Sequence, residues 1–246
     1  MATFVRVLSV DLRKSLWNRW FLVALLASFF SLLLAITRDL GYLPTYMEME
    51  YTEEPRWAEL LITASQGSFA ALALPALSAL PAAGLALLEI QSGAARAAVF
   101  RTGYFRYAIS KTMACLLSGV LVQAGALLLL MALFNGFRLS GLHGLIPLSA
   151  WAPALPPLLA RILCGGLWAG AGSLIALLSM TASAASIGPL CLCYALIMVG
   201  TRFFPALPMM NPVNWLEAPA PGLLLALPLM AAALALVLIR EVKAHV

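Results

Sequence analysis

Charge is scarce in this chain. Fifteen Lys and Arg and ten Asp and Glu make up 10% of 246 residues, while 63% are apolar and the mean hydropathy is +0.97. A soluble domain carries about 25% charged residues. One globular core of this length has no room for so many apolar side chains, and the excess on its surface would aggregate. An ordinary soluble enzyme and a disordered chain are therefore excluded. Histidine is nearly lacking, with only His143 and His245. Metal catalysis within a membrane needs several convergent His and carboxylate ligands, and a Ser or Cys nucleophile needs a base. An intramembrane enzyme is thus disfavoured, and no catalytic or metal site is expected. The four cysteines, Cys115, Cys164, Cys191 and Cys193, all fall in apolar runs without a neighbouring His or carboxylate, so they read as packing residues. Also missing is a Gly-x-x-x-x-Gly-Lys-[Ser/Thr] phosphate loop, so no ATP site is expected on this chain.

What is present is a series of uncharged runs: 20–37, 60–88, 112–137, 162–201 and 218–239. A helix needs about 20 residues to cross the hydrocarbon core. The run 162–201 is long enough for two spans, divided at the small, polar patch Thr181–Ser186 with Gly188 and Pro189. The reading is an all-α polytopic membrane protein, one transmembrane domain over 1–246, with six spans near 20–37, 64–88, 112–136, 158–180, 184–201 and 222–240. Residues 139–160 are also uncharged, but Pro147, Pro153, Pro156 and Pro157 favour a loop at the interface over a seventh span. Pro75 and Pro81 are expected to kink the second span. The first span is too long and lacks a small-x-small site, so it is not read as a cleaved leader.

Lys and Arg crowd residues 6–19, 96–111 and 240–243, whereas most acidic residues lie in 39–59. By the positive-inside rule both termini are cytoplasmic, in a plasma (inner) membrane. The high pI then reflects anionic lipid headgroups and calls for no nucleic acid. Apart from Arg161 near one end, the span interiors hold no ionisable residue, which disfavours an ion-coupled carrier or channel.

The junctions carry the remaining information. Phe4, Leu8, Leu12 and Leu16 recur every fourth residue, with Arg6, Arg13 and Lys14 on other faces. This predicts an amphipathic helix over 1–18 in the interface; a disordered tail is the plain alternative. In the outer loop, Glu48, Glu50, Glu53 and Glu54 are either solvated charge or a lure for a cationic substrate. Glu53-Glu54 with Arg56 has a superficial likeness to the paired glutamates of membrane-embedded prenyl-protein proteases, at the wrong spacing. In the loop between spans two and three, Ser92 is placed to cap a short helix over Ala94–Arg101 and Gly103 to stop it. Arg96, Arg101, Arg106 and Lys111 make that loop cationic, and Phe100, Tyr104, Phe105 and Tyr107 are its aromatics. It suits either docking on a soluble partner or simple anchoring at the membrane surface. Glu89, at the membrane surface, is expected to pair with a nearby Arg. The proline-rich stretch 202–221 predicts short broken helices in the outer leaflet before the last span. Gly166-x-x-x-Gly170 allows close helix packing, within one subunit or between two.

This order of parts resembles the membrane permease subunit of ABC transporters, of the type-2 (ABC-2) exporter class. The likeness rests on an N-terminal elbow helix with Asp11-Leu-Arg-Lys14 before Trp17 and Trp20. It rests also on Glu89, Gly93, Arg106 and Lys111 standing in the family's order between spans two and three. Ala94 departs from a common Thr, and no proline precedes Arg106. The resemblance implies an elbow helix carrying Leu8, Asp11, Leu12, Arg13 and Lys14. It implies a coupling loop, 92–106, in which Glu89, Gly93, Arg96, Phe100, Arg101, Arg106 and Lys111 serve a partner ATPase that binds ATP and Mg. It further implies pairing with a second permease copy or homologue and an amphipathic cargo such as a peptide, antibiotic or lipid.

Overall fold

The computed structural model describes residues 2–39, 57–140, 151–204, 207, 211–217 and 221–245; the side chains of 2–4, 38–39, 57–58, 137–140 and 245 are not described. Most of the acidic outer loop, 40–56, and residues 141–150 of the 139–160 loop lie outside the described residues. Those described form helices without a strand: α1 (Ala2–Leu16), α2 (Arg19–Asp39), α3 (Trp57–Gln66), α4 (Ser68–Ala79), α5 (Leu85–Gln91), α6 (Ala94–Thr102), α7 (Tyr104–Ser140), α8 (Leu155–Ser179), α9 (Ala184–Arg202) and α10 (Pro221–His245), with 3-10 turns at Ala152–Ala154 and Asn214–Leu216. Five helices are long and apolar enough to cross a membrane, and α3 with α4 makes a sixth if the bent pair is one span. The chain is thus built as a multi-pass membrane protein.

The second span differs most from expectation. It is three helices in place of one over 64–88. The bend, 63°, falls at Gly67, between α3 and α4, and not at Pro75, which sits buried inside α4. Pro81 lies in the turn that separates α4 from α5. Proline at the start of a helix costs nothing, because the first N–H groups have no acceptor. That is why Pro156 and Pro157 open α8 three residues earlier than the sequence reading placed it. Span three is longer than expected for the opposite reason: with no proline between Gly103 and Ser140, α7 continues through Arg106 and Lys111. Before the last span, the only helix among the described residues is the single turn 214–216, with Trp215 stacked on Trp168 at 6.4 Å.

The bundle is organised around α8, which packs against α3, α4, α7, α9 and α10. Glycines make this possible, since close helix approach in a bilayer requires small residues. A Cβ on Gly165 would lie 2.7 Å from the Gly119 carbonyl oxygen on α7 and 2.6 Å from Gln123 Cγ. On Gly166 it would meet Val120 and the Leu116 carbonyl, and on Gly170 it would meet Leu116 and Met230. The Gly166/Gly170 pair thus faces α7 and α10 of the same chain. The hydroxyls of Ser31, Ser65 and Ser118 bond back to carbonyls one turn earlier, so the spans carry them without an interhelical partner. α1 and the last turns of α10 lie at one end of the bundle, together with α5, α6 and the start of α7. Trp151, Phe134, Leu61 and Ile36 pack at the other. Large apolar side chains on α2, α9 and α10, among them Leu225, Leu229 and Leu236, point outward.

A test of the α7–α8 crossing is Gly165→Ala against Gly136→Ala. Overpacking of a tight contact costs roughly 1–3 kcal/mol, so the first variant should lower the thermal unfolding midpoint in detergent. The second, with nothing within 4 Å of a Cβ, should leave it in place.

Candidate functional site

Three remote segments meet on one ammonium. Lys111 Nζ lies 2.6 Å from Asp11 Oδ1 on α1, and 2.8 and 2.7 Å from the two carboxylate oxygens of Glu89 on α5. Ser110 Oγ donates to Asp11 Oδ2 at 2.7 Å, and Tyr107 OH donates to Glu89 Oε2 at 3.1 Å. Lys14 Nζ reaches Glu89 Oε1 at 3.1 Å from the solvent side. The helical spacing explains the convergence. Tyr107, Ser110 and Lys111 share one face of α7 at i, i+3 and i+4, and Asp11 with Ser15 forms a stripe on α1. Lys111 and Asp11 are each over nine-tenths buried. Such a pair is tolerable only because nearly every charge and lone pair is engaged.

This geometry corrects one expectation and adds a detail of α1. Glu89 pairs with lysines and not with an arginine. Of α1, the polar stripe Asp11/Ser15 turns inward, while Val5, Val10 and Trp17 are exposed. Burial pushes the Glu89 carboxyl up, but Lys111 and then Lys14 outweigh it, and its pKa falls below the ordinary carboxylate value. Beside the cluster opens a small cleft bordered by Ser15, Ala86, Ala114, Cys115 and Ser173 as well as the charged groups. Among the described residues the buried Ser15 hydroxyl has no hydrogen-bond partner there.

Next to the cluster stands α6, bracketed by two glycines in left-handed conformations, Gly93 (φ 75°) and Gly103 (φ 79°). Gly93 ends α5 with its N–H on the Ile90 carbonyl, and Gly103 ends α6 with its N–H on Val99. Ser92 does not cap α6, as its hydroxyl turns back to the Glu89 carbonyl. Ala95 and Val99 bury one face of α6 in the core, whereas Arg96, Phe100 and Arg101 lie on the exposed side, Phe100 at 86% exposure. Phe105 and Arg106, in the first turn of α7, extend that exposed surface. Of the elbow residues, Leu8 and Leu12 are half-buried, and Arg13 lies 5.9 Å from the ring of exposed Trp17.

One buried polar site went unread in the sequence, and a second was read without its burial. Gln123, fully buried in mid-span, donates to Ser78 Oγ at 2.9 Å and Ser28 Oγ at 3.3 Å, joining α2, α4 and α7. Arg161 is not at a span end but wholly buried within α8, bonded to the carbonyls of Ser65 (2.7 Å) and Ala70 (3.3 Å). A lone Gln and a lone Arg in apolar runs were the available signals. Among the described residues no group of three or more His, Cys, Asp and Glu is placed to hold a metal. The chain matches no family model, and neither the curated proteins nor the solved structures give a match.

Breaking a buried pair costs about 3–5 kcal/mol, while an exposed one is worth about 0–1 kcal/mol. Lys111→Met should therefore lower the unfolding midpoint far more than Lys14→Met, in the same detergent. The lowered pKa of Glu89 has a definite sign: its stabilisation is present above the ordinary carboxylate pKa and is lost as pH falls through the lowered value. Unfolding midpoints should hold above about pH 5 and drop below it. Glu89→Gln should lower the neutral-pH value and shrink the acid drop; an identical pH profile would refute this contribution.

Proposed function

We propose that the chain is the membrane permease subunit of an ATP-driven exporter of the ABC-2 class. The observation that carries this reading is the junction at Lys111. It joins an N-terminal helix, the end of the second span and the root of the third, next to an exposed basic helix with an aromatic knob. A push on α6 would reach three segments at once through short, charge-assisted bonds. On this reading, α6 is the coupling helix, with Arg96, Phe100, Arg101 and Arg106 meeting a separate ATPase subunit that carries ATP and Mg. Glu89, Gly93 and Lys111 hold that helix in place, and α1 is the elbow helix, through Leu8, Asp11, Leu12, Arg13 and Lys14. The end bearing α1 and α6 is cytoplasmic, in the plasma (inner) membrane, and the chain itself does no catalysis. A second permease, identical or homologous, completes the pathway for an amphipathic cargo. The sequence resemblance supports the same assignment.

Two buried cations, Lys111 and Arg161, lie inside the long apolar helices. They favour, as a second reading, an ion-coupled carrier. Transport by the reconstituted protein on an ion gradient without ATP would select that reading.

Co-expression with an ATPase encoded beside it should yield a complex of paired permeases and paired ATPases. Arg101→Glu and Phe100→Ala, both exposed, should leave the unfolding midpoint unchanged and weaken ATPase capture by about tenfold or more. Unaltered capture in both would remove α6 from the interface.

A further inference from the structure

Arg161 stands apart from every other charge described. It is fully buried, and among the described residues no ion pair engages it. Among the described residues its terminal nitrogens bond only to neutral carbonyls, and its buried Nε–H has no hydrogen-bond partner. A helix break needs a donor for its freed carbonyl, and Ser65 supplies such a carbonyl, because Gly67 interrupts the ladder there. A neutral amide would satisfy that need. A guanidinium adds a full positive charge and a planar fork matched to an oxyanion. Burial of that charge without a counter-charge is costly.

The position of the two acceptors matters. Ser65 belongs to α3 and Ala70 to α4, on either side of the 63° bend, and only Gly67 separates the two helices. A swing of α3 about Gly67 therefore breaks the Ser65 bond and frees one terminal nitrogen, while the Ala70 bond on α4 holds the other. Trp151 and Ala154 pack with α3 residues Leu61 and Ala64 in the surrounding apolar cluster, so the arriving group meets a low-dielectric wall in which a charge-assisted pair is strengthened.

We propose that Arg161 is an anion-recognition residue, taking a carboxylate or phosphate oxyanion of an amphipathic ligand side-on, through Nε–H and one terminal N–H, when the α3–α4 bend opens. This deepens the permease reading, on which it rests only for naming the ligand as cargo; the site itself rests on the geometry of Arg161. No bond is made or broken in the ligand, and α3 re-closes when the anion leaves.

Decyl phosphate is the probe, with decyl glucoside as its uncharged counterpart, added to the full chain in dodecyl maltoside. Intrinsic tryptophan fluorescence and the unfolding midpoint are read together. Decyl phosphate should give a saturable change in both, and decyl glucoside none. Arg161→Gln should weaken the phosphate response about tenfold or more, and Arg161→Lys, which keeps the charge and guards against loss of fold, should weaken it less. Equal responses to the two amphiphiles, or an undiminished phosphate response in a folded Arg161→Gln, would overturn the proposal. Repeating the titration in phosphatidylglycerol and phosphatidylcholine nanodiscs separates the sources of the oxyanion. Suppression by phosphatidylglycerol upholds the site as one for bilayer lipid, and persistence upholds it as one for cargo. None of these readings involves an ATPase, so failure to capture one would leave this result unchanged.

Discussion

The ammonium of Lys111 holds this molecule's architecture together at one end. Two carboxylates, 100 and 22 positions away along the chain, close on it, and each brings a helix. Without the cation, Asp11 and Glu89 would be like charges crowded into a poorly solvated corner, and α1 would lose its main polar tie to the bundle. The apolar residues of α1 offer only a partial substitute, since Val5, Val10 and Trp17 face away and Leu8, Leu12 and Leu16 are half-buried. The position of α1 is thus set by electrostatics, whereas that of the spans is set by shape.

Shape dominates elsewhere because a bilayer gives apolar surfaces no reason to hide from their surroundings. Glycine on α8 takes over that role. Gly165 and Gly166 bring α7 within backbone contact, Gly170 admits Met230 of α10, and a Cβ on Gly172 would collide with the Ala185 carbonyl of α9. The polar groups trapped by this packing are few and mostly answered locally. Gln123 and Arg161 are the exceptions: Gln123 spends its amide N–H groups on two serines from different helices, and Arg161 reaches carbonyls of α3 and α4.

Much of this was legible in the sequence, for definite reasons. Spans four, five and six were found within a few residues because charge or small polar residues mark their ends. Gly103 marked the end of α6 because a positive φ is nearly a glycine preserve, whereas its start was credited to Ser92 and belongs to Gly93. Asp11, Lys14, Glu89 and Lys111 were singled out as residue types in an order; nothing in one dimension said that they would touch. The second span was misjudged because a bend without proline leaves almost no trace: Gly67 is one glycine among seventeen. Arg161 was read as an end marker because a charge usually is one, and burial is a property of neighbours supplied by α3 and α4.

The central place of α8 limits how the molecule can change shape. A helix hemmed in on several sides at backbone distance has no room to rotate or slide alone, since each move would drive a carbonyl into a glycine face. Helices 4, 7, 8, 9 and 10 are therefore built to travel as one block, since Ala79 of α4 also lies against Gly172. Relative motion is left to the other parts, α2, α3 hinged at Gly67 and the charge-tethered α1, so the molecule divides mechanically into a stiff keel and a jointed flank.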